Sequence, residues 1–208
     1  MKGLIIKDII FALKQQAKIL LALLIFYIVY AVAFQAWGML VGVIVLLCIM
    51  LPVTTLAYDE KSKWDKYALS MPITRETIVL SKYIFAVLAE LIGVAIVGVI
   101  GVLAVLFTGE MELKEMLLII LGTCEIGLIF LAVILPILFK FGVEKARLIM
   151  LLVIFIPTML MVMGSQMGIA PPSAQTLKLL AYLSPLIALG GLWLSVKVSI
   201  GIYNKKEF

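Results

Sequence analysis

Two carboxylic acids, Glu90 and Glu125, lie within long apolar stretches of this 208-residue chain. A charged residue at the centre of a bilayer costs about 2.5–3.5 kcal/mol on insertion scales, so such residues usually face a cavity or a partner group. We predict that these acids line a translocation path and meet cationic groups there. The alternative is that each is protonated or hydrogen-bonded to a neighbouring apolar segment. Pro157 removes a backbone donor from another apolar stretch and is a candidate hinge on the same path, or a static kink.

Most other kinds of chemistry are excluded by residue type. The chain contains no His, which removes the commonest metal ligand and the commonest general base. It contains no G-x-x-x-x-G-K-[ST] loop for nucleotide phosphates. Cys48 and Cys124 both lie in apolar stretches, so a disulfide framework is not indicated. We therefore predict that the chain is not an enzyme and holds no cofactor or metal of its own.

The polar segment 58–82, YDEKSKWDKYALSMPITRETIVLSK, separates the second and third apolar stretches. Residues Asp59–Ser70 have apolar residues at helical spacing, which predicts a short amphipathic helix, and Asp59 with Lys63 would form an i,i+4 ion pair. Pro72 must end that helix, and Thr74 is a suitable N-cap for a second helix. The predicted helix has Trp and Tyr on one face and mixed charge on the other, which favours docking to a cytosolic partner. The alternative is a helix that only lies in the membrane interface, where Trp and Tyr are common.

The elements that position these residues are six apolar stretches. A hydrocarbon core about 30 Å thick is crossed by about 20 helical residues, and the mean hydropathy of +1.26 is far from that of a soluble domain. The sequence therefore predicts a single all-α domain, residues 1–208, with six transmembrane helices. The stretches are Ile19–Phe34, Trp37–Ala57, Tyr83–Phe107, Met116–Phe139, Leu148–Met163 and Leu179–Ile200.

The basic residues predict the orientation of this domain. All Lys and Arg except Lys114 and Lys178 fall before the first stretch, in alternate gaps between stretches, or at and beyond the end of the last stretch, where Lys197 lies in the final turn. The positive-inside rule then places both termini in the cytoplasm. Residues 1–18 predict an interfacial helix with Lys side chains directed to anionic headgroups. The first stretch is expected to be an uncleaved anchor, and no soluble face exists to bind nucleic acid.

The segment D-E-x-x-x-W-D-x-Y-x-L-S-M-P-I-T-R-x-x-I-V-x-S-K-Y between a two-span hairpin and four further spans resembles the ABC-2-type permease subunits of ABC transporters. Within that family the chain resembles the small permease of phenol-soluble modulin exporters and similar bacterial systems. The resemblance implies a bacterial cytoplasmic membrane, two permease copies forming a homodimer or a pair of sibling permeases, and export of amphipathic or hydrophobic peptides. It also implies that ATP and Mg²⁺ bind to a separate cytosolic ATP-binding subunit.

The same resemblance assigns roles to individual segments. Residues 1–18 match the family's N-terminal elbow helix, and residues 58–82 match the coupling loop whose helix enters a groove on the ATP-binding subunit. The chain lacks the large external domain of the polysaccharide-exporting branch, which argues against a polymer channel. The implied contacts with the ATP-binding subunit are Asp59, Glu60, Lys61, Trp64, Asp65, Tyr67, Leu69, Pro72 and Arg75.

The alternative function is a self-contained proton-coupled secondary transporter or channel that uses Glu90 or Glu125 as its proton site. Such proteins commonly have paired broken helices in two repeated halves. We identify a break only at Pro157, with no counterpart in the first half of the chain. The sequence therefore favours the permease hypothesis.

Overall fold

The computed structural model describes residues 1–34, 37–108, 113–167 and 174–206, and all regular structure in those ranges is α-helical. Eight helices follow one another: α1 (Lys2–Gln15), α2 (Ala17–Phe34), α3 (Trp37–Lys61), α4 (Trp64–Leu69), α5 (Arg75–Thr108), α6 (Leu113–Phe141), α7 (Val143–Gln166) and α8 (Ala174–Asn204). Six of them, α2, α3 and α5 to α8, are long and apolar enough to cross a membrane. The prediction of an all-α protein with six spans is confirmed.

The spanning helices extend beyond the apolar stretches that predicted them. Helix α5 begins at Arg75, well before Tyr83, and α8 begins at Ala174 rather than Leu179. Polar residues at a helix end can reach water, so backbone hydrogen bonding continues after the apolar stretch has ended. The predicted external turns fall partly at residues 35–36, 109–112 and 168–173, which lie outside the described residues.

Helix α6 is the centre of the bundle and packs against α3, α5, α7 and α8. Its residues Leu131, Ile134 and Leu135 are fully buried in the main hydrophobic core. A second, smaller core towards the other end joins α2, α3, α5 and α6 around Val97 and Met116. Helix α6 therefore holds the spanning helices at fixed mutual positions.

The predicted helix Asp59–Ser70 is wrong at its first boundary. The spanning helix α3 continues to Lys61, and α4 does not begin until Trp64. The chain turns at Lys63, whose φ of +53° is left-handed and interrupts the helix. The second boundary agrees with the prediction, because α4 ends before Pro72. Thr74 then caps α5, accepting a hydrogen bond from the Thr77 backbone N at 3.3 Å.

The expectation that Pro157 is the only proline break is also wrong. Helix α7 is continuous through Pro157, and α3, α6 and α8 likewise continue through Pro52, Pro136 and Pro185. Neighbouring helices can satisfy the carbonyl that a proline leaves free, so prolines are tolerated in membrane helices. Pro157 is therefore one of four comparable sites, and its side chain is exposed on α7.

The chain segments that carry most of the basic residues meet at one end of the bundle, here called the charged end. Helix α1 contacts α5 there, the α3–α4 turn contacts the start of α7, and the start of α5 contacts the end of α8. Both α1 and the last turn of α8 therefore lie at the same end of the bundle.

Candidate functional site

The candidate site is the α3–α4–α5 segment at the charged end. Helix α4 has only six residues and would not be stable alone. Its Ala68 is fully buried and Leu69 packs against the main core. Hydrogen bonds from Lys63 N to Glu60 O at 3.1 Å and from Lys66 N to Lys63 O at 3.2 Å hold the turn that precedes it. Helix α4 is thus fixed to the bundle by packing and by its entry turn.

Beneath α4 lies a buried group of two cations and two anions, Lys7, Asp8, Asp59 and Lys82, here called the four-charge cluster. Lys82 Nζ lies 2.8 Å from Asp8 Oδ1 and 2.5 Å from Asp59 Oδ2, and Lys7 Nζ lies 2.7 Å from Asp59 Oδ1. The side chains of Asp8 and Lys82 are only 1% and 4% exposed. The cluster is formally neutral and joins α1, α3 and α5.

The four-charge cluster changes the interpretation of two predicted features. Asp59 pairs with Lys7 and Lys82 rather than with Lys63 as predicted. Helix α1, predicted as an interfacial helix, buries Leu4, Asp8 and Ala12 against the bundle. Helix α1 is therefore packed against the helix bundle at the charged end.

Glu60 connects the α3–α4 segment to the turn between α6 and α7. Its Oε2 accepts a hydrogen bond from the Val143 backbone N at 2.8 Å, at the first residue of α7. Gly142 precedes it with a φ of +76°, and a Cβ there would lie 2.6 Å from Glu60 Oε1. A carboxylate at a helix N-terminus is stabilised by the free backbone N–H groups. Glu60 thus fixes the position of the second turn at the charged end.

Arg75 connects the same segment to the end of α8. Its guanidinium donates hydrogen bonds to the carbonyl oxygens of Tyr203 at 3.1 Å, Asn204 at 2.7 Å and Lys206 at 3.0 Å. The last carbonyls of a helix lack intrahelical partners, so a cation there is favourable. Arg75 therefore holds the C-terminal end of α8 against the start of α5.

The two aromatic residues of α4 lie in different environments. Trp64 is half-buried and has Lys7 Nζ 4.5 Å from its ring centroid, a cation–π contact with the four-charge cluster. Tyr67 is 62% exposed. Between them Asp65 is half-buried, and burial raises the pKa of its carboxyl, while a hydrogen bond with Tyr203 and the charge of Lys206 offset part of the increase.

The structure therefore places the predicted partner contacts in two groups. The first group has intramolecular partners: Asp59, Glu60, Trp64, Asp65, Leu69 and Arg75. The second group, Lys61, Tyr67 and Pro72, is exposed, as are Lys63 and Lys66 beside them. The exposed surface of the α3–α4–α5 segment consequently carries Tyr67 and three lysines, together with the exposed acidic residues Glu60 and Glu76. Sequence patterns did not separate these groups, since the intramolecular partners are distant in sequence.

The two acids within the membrane spans lie in different surroundings. Glu90 on α5 is 0% exposed, and neither carboxylate oxygen has a hydrogen-bond partner among the described residues. It lies against Gly127 of α6, where any added Cβ would overlap its carboxylate. Glu125 on α6 accepts a hydrogen bond from Ser184 Oγ on α8. None of Glu90, Glu125 and Pro157 lines the apolar cavity between α1, α2, α3 and α5 or the one between α6 and α8.

Together the fold and the site define a polytopic helical membrane protein with a short helix fixed at the charged end of its bundle. Comparison with protein families identifies the chain more closely: it belongs to the ABC-2 transporter family, whose profile, ABC-2 family transporter protein, matches residues 3–204. The chain is accordingly a membrane permease subunit of an ABC transporter, which implies a separate ATP-binding subunit. Searches of curated proteins and of solved structures each found no match.

Proposed function

We propose that the chain is the permease of an ATP-driven exporter in a bacterial cytoplasmic membrane, with both termini in the cytoplasm. Its ATP-binding subunit, which holds ATP and Mg²⁺, docks on the exposed surface of the α3–α4–α5 segment. The observation that carries this proposal is the contrast between an exposed surface, on which three lysines surround Tyr67, and a buried attachment beneath it.

The attachment gives a physical route for coupling. Movement of α4 would act on α3 through the Ser62–Lys63 turn and on α1 and α5 through the four-charge cluster. Glu60 and Arg75 would extend that movement to α7 and α8. Closure of the ATP-binding subunits around ATP is then expected to shift the bundle between two arrangements of its helices.

The charge of the surface indicates what the docking groove should contain. Lys61, Lys63 and Lys66 are exposed around Tyr67. A groove with acidic residues around an apolar pocket for the Tyr67 ring would complement them, since complementary charge favours encounter and register. Tyr67 is the proposed anchor, because interface energy is concentrated in buried aromatic residues.

The experiment that tests docking is affinity purification in mild detergent from the native host, followed by mass spectrometry and an ATPase assay. We expect a stoichiometric P-loop protein with wild-type permease. Tyr67→Ala should reduce its recovery at least tenfold without changing the melting temperature of the permease. Tyr182→Ala is the matched control, because Tyr182 is also highly exposed but lies far along α8 from the charged end. Equal recovery from Tyr67→Ala and wild type would refute the proposed anchor.

We further propose that two permease copies assemble and that the cargo is an amphipathic or hydrophobic peptide, as in the phenol-soluble modulin exporters that the loop sequence resembles. Helix α7 is where we place the second copy: much of its apolar surface, including Leu148, Phe155 and Leu160, is exposed in the single chain, and either a second copy or lipid would cover it. Mass measurement of the detergent-solubilised complex would give two permeases per particle. Peptide uptake into inverted vesicles, whose cytoplasmic face is outside, should require both ATP and the ATP-binding subunit.

The alternative of a proton-coupled transporter has one supporting observation, the buried Glu90 without a described hydrogen-bond partner. The continuous spanning helices do not have the broken-helix pattern of many such transporters. Solute uptake driven by a pH gradient in vesicles containing the permease alone, and lost in Glu90→Gln, would favour this function. Transport that requires the ATP-binding subunit would exclude it.

A further inference from the structure

An apolar cavity of about 340 Å³ lies between α1, α2, α3 and α5. Its walls include Ala12 and Leu13 of α1, Leu20 of α2, Cys48 of α3 and Phe85 of α5, and no charged residue contributes to the lining. Leu13 is largely exposed, so the cavity opens sideways from the bundle. In a membrane protein a cavity with this opening faces the lipid.

The cavity has the length of one lipid leaflet. Its α5 wall runs from Phe85 to Ile96, which is about 16 Å at a rise of about 1.5 Å per residue. Half of a hydrocarbon core is about 15 Å thick. Phe85 is within one turn of Lys82 in the four-charge cluster, so the cavity starts at the charged end and runs towards the bilayer centre.

The entrance of the cavity at the charged end is polar. Gln16 Nε2 donates a hydrogen bond to Thr54 Oγ1, joining the end of α1 to α3. Lys14 and Lys18 lie on either side of Gln16, and both are exposed. Lys14 follows the lining residue Leu13, and Lys18 lies two positions before the lining residue Leu20. Two cations next to apolar walls are complementary to an anionic lipid, whose charge and acyl chain are at opposite ends.

We propose that this cavity binds one acyl chain of an anionic phospholipid, with the phosphate at Lys14 and Lys18. An extended peptide would leave its backbone groups without partners against apolar walls. The bound lipid would hold α1 against α5 and so support the four-charge cluster. This inference does not depend on the proposed export function.

The first test measures lipid retained by the full-length protein after purification in mild detergent. Lipid extraction and quantitative mass spectrometry should give about one phospholipid per chain, enriched in anionic species. Ala12→Leu and Ala89→Phe fill the cavity from opposite walls and should each reduce retention at least threefold. Lys14→Gln combined with Lys18→Gln should remove the anionic enrichment. Val29→Phe, at an exposed position of α2 outside the cavity, is the matched control and should retain lipid as wild type does.

The second test uses the wild-type chain and so does not depend on any variant folding. Cys48 lines the cavity, whereas Cys124 does not and serves as an internal reference. Removing lipid should raise the rate of Cys48 modification by methylmercury at least threefold, and adding phosphatidylglycerol should reverse the change. The proposal would be overturned if phosphatidylglycerol protected neither thiol. It would also be overturned if the amount of lipid retained were equal in Ala12→Leu, Ala89→Phe and Val29→Phe. Recovery of a bound peptide in place of lipid would also overturn it.

Discussion

Lys82 is the member of the four-charge cluster whose removal should destabilise the protein most. Both lysines contact both carboxylates, but Lys82 is only 4% exposed, whereas Lys7 is 29% exposed. Removing one partner of a buried ion pair costs about 3–5 kcal/mol, because the remaining charge stays buried. An ion pair that solvent can reach contributes about 0.2–1 kcal/mol. Lys82→Met should therefore lower the free energy of unfolding by about 3–5 kcal/mol, and Lys7→Met by about 1 kcal/mol.

The measurement is chemical unfolding in mixed micelles, followed by tryptophan fluorescence. Lys145→Met, at an exposed position of α7, is the control and should change the unfolding free energy by no more than about 0.5 kcal/mol. Lys82→Met leaves the buried carboxylate of Asp8 with only the more exposed Lys7 beside it. Adding Asp8→Leu removes that carboxylate, so the double variant should recover about 1–3 kcal/mol relative to additivity. Strictly additive effects, or equal effects of Lys82→Met and Lys7→Met, would refute the interpretation of a coupled buried cluster.

Three further predictions concern single positions. Gly142→Ala should lower the unfolding free energy by about 1–2 kcal/mol, since it places a Cβ against Glu60 at a residue with a left-handed φ. An unfolding free energy in micelles equal to that of the wild type would contradict this prediction. Because burial raises the pKa of Asp65, the contribution of this carboxyl to folding stability is present at low pH and is lost as pH rises through that pKa. Asp65→Asn should therefore raise the melting temperature at pH 7, and raise it by less at about pH 4. A change in melting temperature that is the same at both pH values would count against this prediction. Gly127→Ala should lower the unfolding free energy by about 1–3 kcal/mol, because the added Cβ overlaps the Glu90 carboxylate. Adding Glu90→Ala in the same chain should restore part of that free energy. If the double variant is no more stable than Gly127→Ala alone, the overlap is not the cause.

The six spans could be predicted from the sequence because length and hydropathy alone determine whether a helix can cross a bilayer. The N-cap at Thr74 could be predicted because capping depends on residues within one turn. The start of α4 could not, since the left-handed conformation of Lys63 has no sequence signal such as Gly or Asn at that position. Sequence rules therefore predicted the features that depend on residues close together in the chain.

The intramolecular partners of the candidate site are long-range. Asp59 pairs with Lys7 across 52 residues, and Glu60 bonds to Val143 across 83. Sequence spacing instead favoured Lys63 as the partner of Asp59, since an i,i+4 pair needs no tertiary information. One signal was present: Asp8 is the only acid among the first 18 residues, in a segment with four Lys. A single acid in a basic segment is a candidate for a buried ion pair.

The span of the Asp8–Lys82 ion pair has a consequence for the order of assembly during synthesis. The two residues are 74 positions apart, so Lys82 is added about 4–15 s after Asp8 at 5–20 residues per second. During that interval Lys7 can pair with Asp59, but Asp8 cannot form its buried ion pair with Lys82, while α2 and α3 enter the bilayer. The first helix to be made is thus among the later ones to dock, and its docking depends on insertion of α5. Translation that stops before residue 82 would leave Asp8 without its buried cation, and α1 would be accessible to proteases until synthesis resumes.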